Sequence, residues 1–439
     1  MFFKRNLIFL FFLIITNFIN AQYPPLNTID STFQKKWVDS VYNSMTLKEK
    51  IGQLFMVQVF SDESKLNKSK VISLIKNQKI GGLIYSSGGP VRQAILNNEL
   101  QSVSKLPLLI GMDAEWGLNM RLDSTFAFPW NMTLGAISDL ELIRKTGKHI
   151  GEHCKRLGVH FNFSPVVDIN TNPNNPIIGN RSFGEDKINV TNKSLALMKG
   201  MQSTGILACA KHFPGHGDTD KDSHKTLPTI SFNKKRLYNV EFFPYETLIR
   251  NGLSSVMVAH LNVPALDSRT NYPSSLSKKI ITNNLKSKLN FKGLIFTDAL
   301  DMSGVSNFSS PGDVDLNAFL AGNDILLMSK DVISGINKIE LAYNQGIIKE
   351  SRLSHSVKKI LYAKFKVGLN NYTPIEISNI ISDVNRVEDR LLNFDLIKKS
   401  QTVIKNDNNI LPLKNLDLRK IAYVPIGDSD GNYFFETLK

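Results

Sequence analysis

Gly293-Leu294-Ile295-Phe296-Thr297-Asp298 is a short apolar, β-rich run that ends on a carboxylate. Bounded by glycine and too short for a helix, it reads as a strand buried on both faces, as in a parallel sheet. Similar runs recur along the chain. Leu54–Val59, Gly82–Tyr85, Leu106–Gly111, Val159–Val167, Ile206–Ala210, Ser255–Ala259 and Asp324–Met328 are the other candidate strands. Asp113, Asp168, Lys211 with His212, and His260 each stand just beyond one of them. Helix-patterned stretches such as Leu140–Leu157, Val190–Ser203, Leu237–Asn251 and Leu276–Leu289 alternate with the strands. This α/β alternation closes most economically as a (β/α)8 TIM-type barrel, with an open doubly wound sheet as the alternative. The polar side chains favour the barrel, because barrels build their sites from the C-terminal ends of strands.

The flanks of this region set the domain boundaries. In residues 1–21, Lys4 and Arg5 precede an apolar run from Leu7 to Phe18, and small Ala21 follows. That is the pattern of a secretory signal peptide cleaved near Ala21, and it is shorter than the ~18 apolar residues of a spanning helix. No cysteine lies near the cleavage site to carry a lipid. The expectation is an exported protein, periplasmic or extracellular, with no stable membrane insertion after signal cleavage. The barrel is expected over residues 30–370, its flank closed by a basic amphipathic helix, Ser351–Leu369, with Val357, Ile360, Leu361 and Phe365 on one face. Residues 371–399 read as a linker. Residues 400–439, with the strand-like Ile421–Val424, read as the start of a truncated C-terminal α/β domain that stops before a core can form.

Among the 439 residues 42% are hydrophobic and 21% charged, the composition of an ordinary globular protein. The formal charge of +14 falls to +12 once Lys4 and Arg5 leave with the signal. The remaining basic residues are dispersed, no nucleic-acid motif accompanies them, and such a surface suits residence near anionic wall polymers. Two cysteines, Cys154 and Cys209, sit in apolar surroundings that suit buried free thiols.

The densest chemistry lies in Lys211-His212-Phe213-Pro214-Gly215-His216-Gly217-Asp218-Thr219-Asp220-Lys221-Asp222-Ser223-His224. Pro214, Gly215 and Gly217 permit tight turns, so Asp222 and His224 can meet if the loop folds back. A carboxylate fixes the tautomer of a neighbouring imidazole and raises its pKa, which makes a pair able to give and retake a proton near neutral pH. A solvated loop with chance histidines is one alternative; a zinc site from His212, His216 and His224 is another, although the spacing matches no known zinc signature. Asp298, delivered to the barrel mouth by its strand, is placed to act as a nucleophile, whereas Asp301 fits a helix cap. Glycosidic cleavage needs one group to protonate the leaving oxygen and one anion to capture the anomeric carbon.

Together, the KHFPGHG stretch from Lys211, the Asp222-Ser223-His224 triplet and Thr297-Asp298-Ala299 resemble glycoside hydrolase family 3, in particular its bacterial β-N-acetylglucosaminidase branch. The resemblance implies that His224 is the proton donor, Asp222 its partner and Asp298 the nucleophile. It also implies substrate contacts from Asp113, Arg121, Arg181, Lys211 and His212. Charged and bifurcating hydrogen-bond partners of this kind suit sugar hydroxyls in a dry cleft. Asp168 is expected to order its loop, and Trp116 departs from the usual pattern of such sequences, supplying a stacking face or a narrower pocket. The expected activity is retaining exo-hydrolysis of terminal β-N-acetylglucosamine-type residues from cell-wall or related glycans, with no cofactor and no metal. The alternatives are a β-glucosidase or glycoside phosphorylase of the same family, or a non-catalytic glycan-binding barrel.

Overall fold

The computed structural model describes residues 24–222, 226–424 and 436–437. The expected signal peptide therefore lies outside the described residues, as do Ser223 and His224. The chain divides into two units, one up to Ser400 and one from Gln401.

In the first unit, eight parallel strands follow the order β7-β6-β5-β4-β3-β2-β1-β8 among the described residues. They are β1 Phe55–Phe60, β2 Gly82–Ser87, β3 Leu109–Met112, β4 Phe161–Asn162, β5 Leu207–Phe213, β6 Ser255–Val258, β7 Leu294–Thr297 and β8 Leu326–Leu327. The two ends of this order meet: the Asp324 and Ile325 amides donate to Ile295 O, and Thr297 N donates to Ile325 O. The sheet thus closes on itself as a (β/α)8 barrel, which removes both edges. Inside it the rings of Phe161 and Phe163 pack edge-on against Phe296, with centroids 5.1 and 5.2 Å apart. This packed floor lies beneath the mouth to which β7 delivers Asp298.

The helices wrap the outside. They include α1 Ser31–Ser44, α2 Pro90–Ser102, α3 Leu140–Arg156, α4 Lys187–Ser203, α5 Phe242–Arg250, α6 Pro311–Ala321, α7 Val332–Asn344 and α8 Glu350–Lys366. Aspartates start several of them: Asp139 accepts from Glu141 N at the head of α3, and Asp186 from Asn189 N at the head of α4. A π-helical stretch, Lys279–Lys288, connects β6 to β7. Cys154 and Cys209 are free and buried, and burial pushes both thiols up to about 12.

The structure departs from the sequence-based expectations in several places. β4 ends at Asn162 rather than Val167, because Pro165 has no amide to continue the ladder, although Val167 N still donates to Lys211 O. The helix expected over Leu237–Asn251 is broken into Lys234–Asn239 and α5, since Pro244 leaves no N–H to bond back across the junction at Val240. The expected linker, 371–399, carries a short helix, Ile380–Asp383, and the longer α9, Val387–Ser400, both packed on the barrel. A buried carboxylate fastens α9: Asp389 accepts from His149 Nδ1 at 2.7 Å and from His153 Nε2 at 3.0 Å, both on α3.

In the second unit the described residues form the single turns Asp407–Asn409 and Leu416–Leu418, besides the helical residues 436–437. The strand expected at Ile421–Val424 is not formed, and Ile421 and Val424 are exposed. An apolar strand needs a second layer to bury it, and the described part of this unit supplies none. No described helix is long and apolar enough to cross a membrane.

Candidate active site

At the C-terminal mouth of the barrel lies a cleft of about 510 Å³, within the range of small-molecule sites. Asp113, Arg121, Arg181, Lys211, His212 and Asp298, six of the eight expected site residues, line it. Asp222 is half-buried and does not line it; its carbonyl accepts from Thr226 N at 3.0 Å. His224 lies outside the described residues.

Part of the cleft is lined by a charged array built from β3, β5 and the loop after β4. Lys211 Nζ reaches Asp113 Oδ1 and Glu115 Oε1, each at 2.7 Å. Arg121 Nη2 donates to the other oxygen of Asp113 at 2.6 Å. Arg181 forms a two-pronged pair with Glu115, Nε to Oε2 at 3.0 Å and Nη2 to Oε1 at 2.7 Å. Burial works to neutralise Asp113, Glu115, Arg181 and Lys211, and the attraction between opposite charges outweighs it. Asp113 is held well below the usual carboxylate range by Lys211 and Arg121, Glu115 is lowered to about 2 by Arg181 and Lys211, and Lys211 is raised by the two acids. The result is a fixed fan of charged donors and acceptors with little room to reorganise.

Glu115 was not among the residues expected at the site. The available signal was its spacing: residues two apart at the end of an extended strand point to the same face, so Asp113 and Glu115 belong together. Trp116, expected to stack on substrate or narrow the pocket, does not line the cleft; it stacks on Trp130, centroids 4.7 Å apart.

The loop after β5 is held from below by Asp168. Its carboxylate accepts from His212 Nδ1 at 2.6 Å, from the His212 amide and, at 2.7 Å, from the His216 amide. The expected ordering role of Asp168 is therefore what the structure displays. A carboxylate only accepts, so Nδ1 of His212 carries a proton, and its Nε2 faces Arg181 Nη2 at 3.4 Å. His216 lines the cleft as well, its Nδ1 2.7 Å from Thr219 Oγ1, and burial together with His212 pushes it down to about 4. Gly215 has a left-handed φ of +131°, and a side chain at Gly217 would place its Cβ 1.9 Å from Ile169 O, so the loop path requires glycine at both positions.

Asp298 stands on the cleft wall where β7 ends. Burial raises its carboxyl, but His260, His212, the Ala299 amide and Lys211 together hold it below its ordinary value, so it is an anion. Ala299 N donates to Oδ1 at 2.8 Å. His260, after β6, donates from Nε2 to Ala299 O at 2.8 Å, and its Nδ1 lies 2.7 Å from Ser275 Oγ, which fixes the turn that carries Asp298. Met120, Met257, Met302 and Met328 add apolar surface to the cleft lining. Asp301, expected as a helix cap, lines the cleft instead; the next helix starts at Ser303 with Met302 in the cap position.

A somewhat larger cleft of about 600 Å³ opens at the opposite, N-terminal end of the barrel. Its cations are already engaged, Lys155 with Thr204 O and Arg156 with Asp383, Glu376 O and Ser378 O. Among the described residues, no group of three or more His, Cys, Asp or Glu side chains is arranged to hold a metal ion.

Known proteins share this architecture. A solved structure described as a glycoside hydrolase family 3 beta-N-acetylglucosaminidase from Paenibacillus sp. str. FPU-7 superposes with a TM-score of 0.75 at 34% identity, covering 81% of this chain and 69% of that one. Beta-hexosaminidase A of Pseudoalteromonas piscicida is 33% identical over 374 residues, 78% of this chain; the match spans only 62% of that relative's length. Beta-N-acetylglucosaminidase/beta-glucosidase of Cellulomonas fimi is 26% identical over 386 residues, 86% of this chain and 68% of the relative. The profile of the Glycosyl hydrolase family 3 N terminal domain matches residues 46–363, nearly the whole barrel, and the chain belongs to that family.

Proposed function

We propose that the chain is a retaining exo-glycoside hydrolase that removes terminal β-N-acetylglucosamine-type residues. The observation that carries this reading is the ionised Asp298 on the wall of a cleft that is also lined by members of the Asp113–Lys211–Glu115–Arg181 array. Such an array suits the hydroxyls of one terminal sugar, and the methionine surface suits the methyl of an acetamido group. The names of the relatives support the same sugar, and the Cellulomonas fimi name adds β-glucosides to the range worth testing.

In the first step an Asp298 oxygen bonds to the anomeric carbon as the bond to the leaving oxygen breaks, and that oxygen takes a proton from the His224 imidazolium, oriented by Asp222. In the second, water attacks the anomeric carbon, His224 takes the water's proton, and the Asp298 carboxylate is released with net retention. Lys211, Arg181, Arg121, Asp113 and His212 hold the sugar while its ring flattens. The signal-like pattern of residues 1–21 supports an exported enzyme that acts on cell-wall or other extracellular glycans.

The test is nitrophenol release from the N-acetyl-β-glucosaminide and from the β-glucoside by wild type, Asp298→Ala and His224→Ala. The proposal expects turnover of the N-acetyl sugar that collapses in Asp298→Ala, with His224→Ala most impaired on poor leaving groups. A folded wild type that turns over neither sugar contradicts it.

A further inference from the structure

At the end of the barrel away from the mouth, charges of one sign outnumber the other. Asp324 precedes β8, and its Oδ2 accepts from the amide of Ile295, near the start of β7. It therefore lies at the N-terminal ends of the strands, whereas Asp298 follows the other end of β7. Lys359 Nζ donates to the same oxygen and Ser356 Oγ to Oδ1, so both oxygens of the carboxylate are engaged. Two further cations stand beyond hydrogen-bonding reach of it. Lys286 Nζ, from the π-helical stretch, is 3.9 Å from Oδ1, and Arg352 Nη1 is 4.0 Å away. Arg352, His355 and Lys359 follow one another on α8 at spacings of three and four residues, which puts them on one helix face.

Three cations thus share one buried carboxylate. Arg352 donates from Nη2 to Phe319 O and Asn323 O and from Nη1 to Ser356 Oγ, and its Nε is buried with no acceptor among the described residues. Lys286 makes no hydrogen bond among the described residues, and Asp324 is the one described carboxylate that acts on it. Burial, with Lys359 and Arg352, pushes the Lys286 ammonium down to about 8 against the attraction of Asp324. Burial lowers Lys359 and Arg352 as well. The cluster is still open to solutes, since the side chains of Lys286, Arg352 and Lys359 keep 20%, 22% and 12% of their surface exposed. Half-buried like charges held together at this distance repel one another until an anion joins them.

We infer that this cluster binds a dianionic oxyanion, inorganic phosphate or the phosphate end-group of a larger molecule, with Lys286 as its principal donor and Arg352 and His355 beside it. Two unmatched positive charges suit a dianion better than a single carboxylate, and phosphate oxygens supply the acceptor that the Lys286 ammonium lacks. Such an anion binds the folded chain alone, so it stabilises the barrel from the end opposite the candidate active site. The inference does not depend on the hydrolase reading.

The test is calorimetric titration with inorganic phosphate at constant ionic strength. Wild type is expected to bind with a dissociation constant on the order of 1 mM, and Lys286→Met at least about tenfold more weakly. Thermal unfolding reads the same linkage: phosphate raises the Tm of wild type above its value in chloride of equal ionic strength, and leaves that of Lys286→Met at the chloride value. Glycerol 3-phosphate separates the two sources, comparable binding assigning the site to an end-group and its exclusion to the free ion. No phosphate binding by wild type overturns the inference. So does binding that Lys286→Met leaves intact, which places the anion elsewhere, as at the charged array of the mouth. If the variant does not fold, acetylation of wild-type lysines read by peptide mass decides: phosphate that slows modification of Lys286 more than that of other lysines sustains the site, and equal rates overturn it.

Discussion

Glu115 holds two buried cations, Arg181 and Lys211, on one carboxylate, and shares Lys211 with Asp113. Glu115→Ala leaves Arg181 and Lys211 buried without one of their anions, a change that costs about 3–5 kcal/mol when a buried pair is broken. Urea unfolding is expected to register that loss, together with a large fall in kcat/KM as the two cations swing away from the sugar. The same pairing makes stability depend on pH. Arg181 and Lys211, against the opposing effect of burial, lower the Glu115 carboxyl from 4.5 to about 2 in the folded protein. A depressed carboxyl contributes stability that is fully present above its unfolded pKa and is lost as pH falls through the folded one. Unfolding free energy should therefore drop between pH 4.5 and about 2, and Glu115→Gln should flatten that drop; a profile identical to wild type would refute the assignment.

The element that matters most is the loop after β5, whose path is set by the Asp168 carboxylate and by a close backbone contact at Gly217. Gly217 lies against Ile169 O so closely that a Cβ would sit 1.9 Å away, and neither partner is a flexible side chain. Gly217→Ala is expected to shift the loop that leads to Asp222 and His224 and to lower kcat/KM about a hundredfold, the scale of a displacement near 1 Å at a reacting centre. Gly346→Ala is the matched control: its φ of +74° is also left-handed, but no atom lies within 4 Å of the added carbon, so stability falls modestly and activity does not. The elements themselves were largely readable from the sequence, because buried parallel strands are short apolar runs and each polar residue after a run marks a strand end. Asp113, Lys211, His212 and Asp298 were found that way. What the apolar pattern does not encode was missed. Pro165 and Pro244 interrupt elements through a missing N–H, and α9 is fastened by the buried Asp389 while its apolar Val387, Leu391 and Phe394 point outward. Glu115 was missed because charge on a buried strand end looks like a mistake until its two cations are placed beside it.

At the scale of the molecule, closure of the sheet brings residues on or after all eight strands to one cleft, so that groups far apart in sequence line a single site. In the proposed mechanism, side chains supply the charges that hold the sugar and capture the anomeric carbon. Exhaustive chelation is accordingly expected to leave kcat/KM unchanged, and a loss restored by zinc would favour the histidine-rich loop as a metal site. The central claim, that Asp298 is the atom donor of a covalent intermediate, has a direct test. A fluorinated N-acetylglucosaminide that forms the intermediate quickly and hydrolyses slowly is incubated with the protein, which is then digested and its peptides weighed. The account predicts one sugar mass on the peptide that contains Asp298, absent in Asp298→Ala. Label on a different carboxylate, or turnover that inverts the anomeric configuration with no labelled peptide, would contradict it.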